Sequence, residues 1–150
     1  MLSKEEFLAT VKNTPLVSID LVVRAQNGKV LMGKRINRPA AGYWFVPGGR
    51  IYKGETLEDA FKRISLTELG IELEISAGVL LGAFTHIYAD NFAGAAGIGT
   101  HYVVLAYQLH LEAADLGLPD QQHSAYRWFA ADDDLSEAHF NSLAYFPYLQ

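Results

Sequence analysis

Residues 49–71 read GRIYKGETLEDAFKRISLTELGI, and a helix is legible within them. Thr56 followed by Asp59 forms a capped start, Leu57, Ala60, Phe61, Ile64 and Leu69 fall at helical spacing, and Gly70 is placed as a C-cap. The stretch before it, Arg35 to Gly54, is rich in Gly, Pro and basic residues and carries Tyr43-Trp44-Phe45-Val46-Pro47-Gly48-Gly49. Aromatic side chains favour burial, so this stretch reads as a long ordered loop or a broken strand and not as a linker. Further upstream, Leu16 to Ala25 is β-rich, Asn27-Gly28 is a hairpin turn, and the chain returns through Val30, Leu31 and Met32. Ser3 with Glu6 makes a capping box for a short first helix, whose apolar stripe of Phe7, Leu8 and Val11 ends before Pro15.

Downstream, strands at about Ile75 to Tyr88 and Thr100 to Leu111 flank a small-residue loop, Ala89 to Gly99. A shorter strand is expected at Tyr126 to Ala130, and the tail ends in one or two short helices. Strands and helices interleave without a regular βαβ repeat. The expected fold class is therefore α/β in the α+β sense, a mixed β-sheet covered by helices in a single domain over residues 1–150.

Composition narrows the function classes. A chain of 150 residues, half of them apolar, can bury roughly two thirds of its unfolded surface. Twelve basic and seventeen acidic residues leave a formal charge of −5, which argues against a general nucleic-acid binder, so phosphate contacts must be local. No cysteine is present, which removes disulfides and thiolate metal sites, and no basic-then-apolar leader opens the sequence. The expectation is a cytoplasmic protein. No apolar run approaches the roughly 20 residues that span a bilayer, so no membrane partner is expected.

From Gly49 the chain runs five residues to Glu55, seven more to Arg63, and then Ile64-Ser65-Leu66-Thr67-Glu68-Leu69-Gly70-Ile71. This resembles the Nudix box, G-x5-E-x7-R-E-U-x-E-E-x-G-U, with U a bulky apolar residue. Gly49, Glu55, Arg63, Glu68, Gly70 and Ile71 match. The resemblance implies the Nudix-type fold, a mixed sheet sandwiched between helices. Departures fall at Ile64 and Thr67, where the box is acidic, and at Ser65, where it is apolar. Positions 64, 67 and 68 share one helix face, so the full box offers three carboxylates for several Mg²⁺ ions, whereas here Glu68 stands alone. One carboxylate suits one hard cation, completed by neutral oxygens, waters and substrate phosphates. That weakens the case for attack at phosphorus, where several cations neutralise the phosphoryl group.

The substitution pattern is similar to that of the GDP-mannose mannosyl hydrolase branch. Thr14-Pro15-Leu16-Val17-Ser18, Gly33-Lys34-Arg35, Asn37-Arg38-Pro39-Ala40, Gly42 through Arg50, Thr100-His101-Tyr102-Val103-Val104-Leu105, and Leu118-Pro119-Asp120 followed by Gln122-His123 all resemble that group. The resemblance implies a homodimer acting on a nucleotide sugar, with one Mg²⁺, for which Mn²⁺ can substitute, held by Glu68, the Gln122 side-chain oxygen and the Gly48 carbonyl. It also implies that Arg35 and Arg50 contact the diphosphate, that Asp20, His86 and Tyr102 line the substrate site, and that His123 is the general base. The implied reaction is hydrolysis of GDP-mannose, and of GDP-glucose, to GDP and free hexose by water attack at the anomeric carbon with inversion. The loop Phe92 to Gly99 departs from the group.

Each residue also has a reading of its own. Glu55 and Arg63 are expected to be a structural pair bracing loop against helix. Gly48 and Gly49 permit a tight turn, which is also what exposes a carbonyl. Asp20 interrupts an apolar strand and needs a partner, an arginine or the substrate. His86 and His101 read equally as satisfied strand histidines, and Tyr43, Trp44 and Phe45 as core residues. His123 has the pKa range of a base at neutral pH. Two other functions fit the same residues: a pyrophosphatase attacking phosphorus, and a nucleotide-sugar sensor without turnover.

Overall fold

The computed structural model describes residues 1–119 and 125–150 in full and, of residues 123 and 124, the backbone alone. Seven strands form one mixed sheet: β1 (Leu16–Arg24), β2 (Val30–Arg35), β3 (Trp44–Phe45), β4 (Gly48–Arg50), β5 (Val79–Tyr88), β6 (Thr100–His110) and β7 (His123–Phe129). The main path runs β3-β2-β1-β6-β5, with β4 on β1 and β7 on β2. β1 and β6 are parallel over their length, and the other pairs are antiparallel. The sheet is forked. β1 meets β2 at Arg24 and Val30, near their hairpin, while the first half of β1 takes β4 instead.

Strand periodicity then assigns the faces. Ile19, Leu21 and Val23 of β1 pack with Leu31, Tyr107 and Leu109 beneath helix α2 (Leu57–Leu69), which contributes Ala60, Phe61, Ile64 and Leu69. The opposite face joins Val22, Val30, Met32, Trp44, Val46, Ala106 and Phe129 to Ala138 and Tyr145 at the chain's end. There a short helix, α3 (Phe140–Leu143), and a 3₁₀ turn at Phe146–Tyr148 close the second core. Helix α1 (Lys4–Asn13) starts with the expected reciprocal bonds between Ser3 and Glu6. No helix among the described residues is long and apolar enough to cross a membrane.

Helix α2 begins and ends as its sequence dictates. The Thr56 hydroxyl accepts from the Asp59 amide at 3.1 Å, and Gly70 ends the helix at φ 72°. A side chain at Gly70 would also collide with the Gly117 carbonyl, because the Gly117 amide donates to Leu69 O at 2.8 Å and brings that segment close. Ser65 is buried in its apolar slot with partners of its own: its hydroxyl donates to the Lys62 carbonyl at 3.0 Å and accepts from the Leu73 amide at 2.9 Å.

Several expectations require correction. Of the two readings of Arg35–Gly54 the broken strand holds, with Trp44 and Phe45 buried as expected, but Tyr43 is exposed and set edge-on against His139. Leu57, the first residue of α2, is likewise exposed. Ile75–Ala77 is a 3₁₀ turn, and β5 starts only at Val79. β7 begins three residues before the expected Tyr126, drawn into register with β2 by backbone pairing that no side-chain pattern announces.

Ile64 is 1% exposed, and a methyl group placed on Gly49 would lie 3.1 Å from its Cγ1. Position 64 is therefore core, sealed under β4. Ile64→Glu would bury a charge there without a prepared partner, so it should lower stability by about 3 kcal/mol in urea denaturation instead of restoring a multi-carboxylate site. Unchanged stability together with tighter Mg²⁺ binding would contradict that placement.

Candidate active site

Arg63 fastens the loop before α2 to the helix. Its Nε donates to Glu55 Oε2 and its Nη2 to Glu55 Oε1, both at 2.8 Å, and Nη2 also donates to the Arg50 carbonyl at 2.8 Å. Glu55 Oε1 accepts as well from the Tyr52 amide at 2.7 Å, and the guanidinium lies 3.8 Å over the Tyr52 ring. The pair lowers the Glu55 carboxyl below its ordinary range, first through the bonds from Arg63. This is the brace expected from the sequence. Its result is that β4 and Arg50 are set at a fixed place relative to α2.

A pocket of about 550 Å³, including its open mouth, lies where β1, β4, β5 and β6 meet, and its lining includes Asp20, Arg35, Gly48, Arg50, His86 and Tyr102. Strand register produces this convergence. Gly48 lies opposite Asp20 in the β1–β4 ladder, and His86 opposite Tyr102 in the β5–β6 ladder. Gly48 admits no larger residue, because a Cβ there would collide with Asp20 Oδ1 and sit 2.7 Å from the Ile19 carbonyl oxygen. The pocket also takes in Phe45 and Tyr88, which sequence reasoning left out of the site. Neither Arg35 nor Arg50 is within ion-pair distance of a carboxylate among the described residues. Among the described residues two positive charges thus line the pocket without a salt bridge, although the Arg35 charge is felt at Asp20 and the Arg50 charge at Glu55.

Asp20 finds a partner the sequence did not suggest. The Tyr145 hydroxyl, brought from the chain's end, donates to Asp20 Oδ2 at 2.5 Å and lies 3.2 Å from His86 Nε2. With the Tyr145 proton directed at Asp20, the Tyr145 oxygen accepts from a neutral His86 protonated at Nε2. Burial pushes the Asp20 carboxyl up to about 7, against the opposing pulls of Tyr145 and Arg35, and the nearby Glu68 charge adds to the rise. Burial likewise lowers His86 to about 4, reinforced by His139. Burial and the adjacent Asp20 hold the Tyr145 phenol well above its ordinary value, so it remains a proton donor. His139, also missed, stacks on Phe45 at 4.6 Å and caps α3 through Nδ1, which accepts from the Asn141 amide at 3.1 Å. No strand or helix period brings residues 20, 86 and 145 together, and only the tertiary fold does.

Glu68 is buried on α2, while Thr67 is exposed. Among the described residues no group of three His, Cys, Asp or Glu side chains could cage a metal. The donor set within reach of the sequence reading is accordingly one carboxylate, the Gly48 carbonyl and the Gln122 amide, all hard oxygens of the kind Mg²⁺ takes. Beside Gly48, Asp20 Oδ1 and the Ile19 carbonyl oxygen add two more hard oxygens, a chemistry that suits such an ion. Gln122 lies outside the described residues. The same holds for the side chain of His123, whose backbone pairs opposite Arg35.

Opposite pKa shifts give opposite contributions to stability. Asp20, raised above its ordinary 3.8, contributes stability that is full at acid pH and lost as pH rises through about 7. His86, lowered from its ordinary 6.5, contributes stability that is present above that value and lost as pH falls through about 4. Asp20→Asn keeps an acceptor for Tyr145 and removes only the first contribution. In EDTA, the mutant's stability relative to the parent should therefore rise steadily between about pH 4 and 8, as read by urea denaturation. A constant difference across that range would refute the buried-acid assignment.

The NUDIX domain family model matches residues 14–147. The low-salt glycan biosynthesis protein Agl8 of Haloferax volcanii is 44% identical over 126 residues, covering 83% of this chain and 77% of that protein. A MutT NUDIX hydrolase from Burkholderia pseudomallei superimposes with a TM-score of 0.74 at 29% identity, over 92% of this chain and 100% of that one. The NUDIX domain of Shewanella oneidensis NrtR, solved with ADP ribose, has a TM-score of 0.68 at 21% identity over 98% and 96% of the two chains, a likeness of fold. Matched along nearly its whole length in sequence and in structure, this chain belongs to the NUDIX family of hydrolases.

Proposed function

We propose that this hydrolase splits a GDP-hexose, GDP-mannose and also GDP-glucose, into GDP and free sugar by water attack at the anomeric carbon. The observation that carries the reading is the state of the α2 face, where Glu68 is the one carboxylate left and position 64 belongs to the core. A face so depleted suits one divalent cation, whereas displacement at phosphorus draws on several charges around the transferred group.

In this reading Glu68, the Gly48 carbonyl and the Gln122 side chain hold Mg²⁺ or Mn²⁺, and the bound ion supplies Lewis-acid stabilisation of the departing diphosphate. Arg35 and Arg50, free of carboxylate partners among the described residues, grip the same diphosphate and stabilise the charge that gathers on it. Asp20, His86 and Tyr102 line the sugar side of the pocket. His86, neutral at working pH, donates through Nε2 to Tyr145, whose own proton orients the Asp20 carboxyl. His123 takes a proton from the attacking water. The C1–O bond to phosphate breaks as the C1–O bond from water forms on the opposite face, and the bonding electrons leave on GDP. A cytoplasmic homodimer completes the proposal and rests on the resemblance and composition alone.

With Mg²⁺ and GDP-mannose, phosphorus NMR should show GDP as the sole phosphorus product, and proton NMR should show β-sugar released first from the α-linked substrate. GMP with a sugar phosphate would establish cleavage at phosphorus, and no reaction would favour a sensor. Glu68→Gln should remain folded and lose most turnover at limiting Mg²⁺, since an amide is a weaker ligand for a hard cation. Arg50→Ala should lose about 10²-fold in kcat/KM, shared between kcat and KM, because the charge it meets grows during cleavage. A change confined to KM would instead mean uniform binding.

A further inference from the structure

Arg50 packs against two aromatic rings. Its guanidinium carbon lies 4.5 Å from the Phe7 ring centroid and 4.9 Å from that of Tyr52. Tyr52 is fixed from behind, by its amide bond to Glu55 and by Arg63 stacked on it. Phe7 is fixed from another side, resting on Phe92 with ring centroids 4.7 Å apart. Phe92 belongs to the loop that departs from the family pattern, and buried Asn91 ties that loop down. The Asn91 Nδ2 donates to the Ala95 and Ile98 carbonyls at 2.8 Å, and its Oδ1 accepts from the Ala93 and Ala95 amides at 3.0 and 3.1 Å. A chain of contacts thus runs from Asn91 through Phe92 and Phe7 to the Arg50 guanidinium at the pocket.

The sequence of α1 agrees with such a role. Val11 is the helix's one buried residue, so Phe7 is only half-buried and is not needed to build either core. Rings packed against a guanidinium compete little for its N–H groups, which stay available for two-pronged bonds to phosphate, and they restrict the rotamers of a long side chain before ligand arrives. We propose that Phe7 is a positioning residue for Arg50, so that α1 and the Asn91-tied loop set the hand that grips the diphosphate. The proposal rests on the reading of Arg50 as a diphosphate ligand.

The test compares Phe7→Leu, which keeps apolar bulk without a ring face, with Phe7→Tyr, which keeps the ring, each also in an Arg50→Ala background. Phe7→Leu should lower kcat/KM for GDP-mannose about 10-fold, with part of the loss in kcat, and Phe7→Tyr should stay near the parent value. In the Arg50→Ala background Phe7→Leu should change the rate less than about 2-fold, because a positioning residue has nothing left to position. Independently of turnover, the ring-shifted Arg50 Nε–H resonance of the ligand-free protein should move toward the free-arginine position in Phe7→Leu and not in Phe7→Tyr. An unmoved resonance, or an equal rate loss with and without Arg50, would overturn the proposal, the latter by showing that Phe7 touches substrate directly. Should the resonance move while the parent chain neither binds GDP nor cleaves the sugar nucleotide, the diphosphate reading falls and the Phe7–Arg50 contact stands.

Discussion

Arg63 reaches from the middle of α2 to both oxygens of Glu55 and to the backbone carbonyl of Arg50, and the geometry of the pocket depends on that clamp. Glycine-rich segments such as the one around β4 lose much conformational entropy on ordering, so without cross-links they would not hold a carbonyl or a side chain in one place. The clamp supplies charge-assisted bonds from a partly buried guanidinium, and the β1–β4 ladder supplies the rest. Together they hold Gly48 against Asp20 and Arg50 in the pocket lining, while Glu68 lies five residues beyond Arg63 on the same helix.

Next to the clamp, position 64 serves packing. Ile64 fills the space directly under Gly49 and joins Phe61, Ile19 and Leu21, so it contributes packing where a carboxylate would need counter-charges. Charge balance in the pocket then shifts to the sheet side. Arg35 and Arg50 face a carboxyl whose own charge is suppressed by burial, and a neutral histidine stands behind it. Among the described residues the pocket lining thus sets two guanidinium groups against one carboxyl, in a protein whose overall charge is −5.

Much of the fold was legible in the sequence because local rules decide it. Ser3 with Glu6, Thr56 with Asp59 and Gly70 at the C-cap mark both long helices, and Asn27-Gly28 marks the hairpin. The Glu55–Arg63 pair was legible too, as two charges at loop and helix bound to meet. Less legible were features that depend on distant pairing. Tyr145 is 125 residues from Asp20 and reaches it only because the second core draws the chain's end across the sheet. Tyr43 looked like its neighbours Trp44 and Phe45 and proved exposed, since only the neighbouring residues have a sheet face to enter. Six of the nine candidate site residues, Asp20, Arg35, Gly48, Arg50, His86 and Tyr102, line one pocket, whereas Glu68 sits on α2 and His123 is described by its backbone alone. The remaining one, Gln122, lies outside the described residues.

The central claim is that water meets carbon and not phosphorus, and the fate of the water oxygen decides it most directly. Turnover of GDP-mannose in ¹⁸O-labelled water with Mg²⁺, followed by mass spectrometry of both products, should place the label in the C1 hydroxyl of the sugar and leave GDP unlabelled. Label in a phosphate would contradict the account, whatever the roles of Glu68, Arg35 and Arg50.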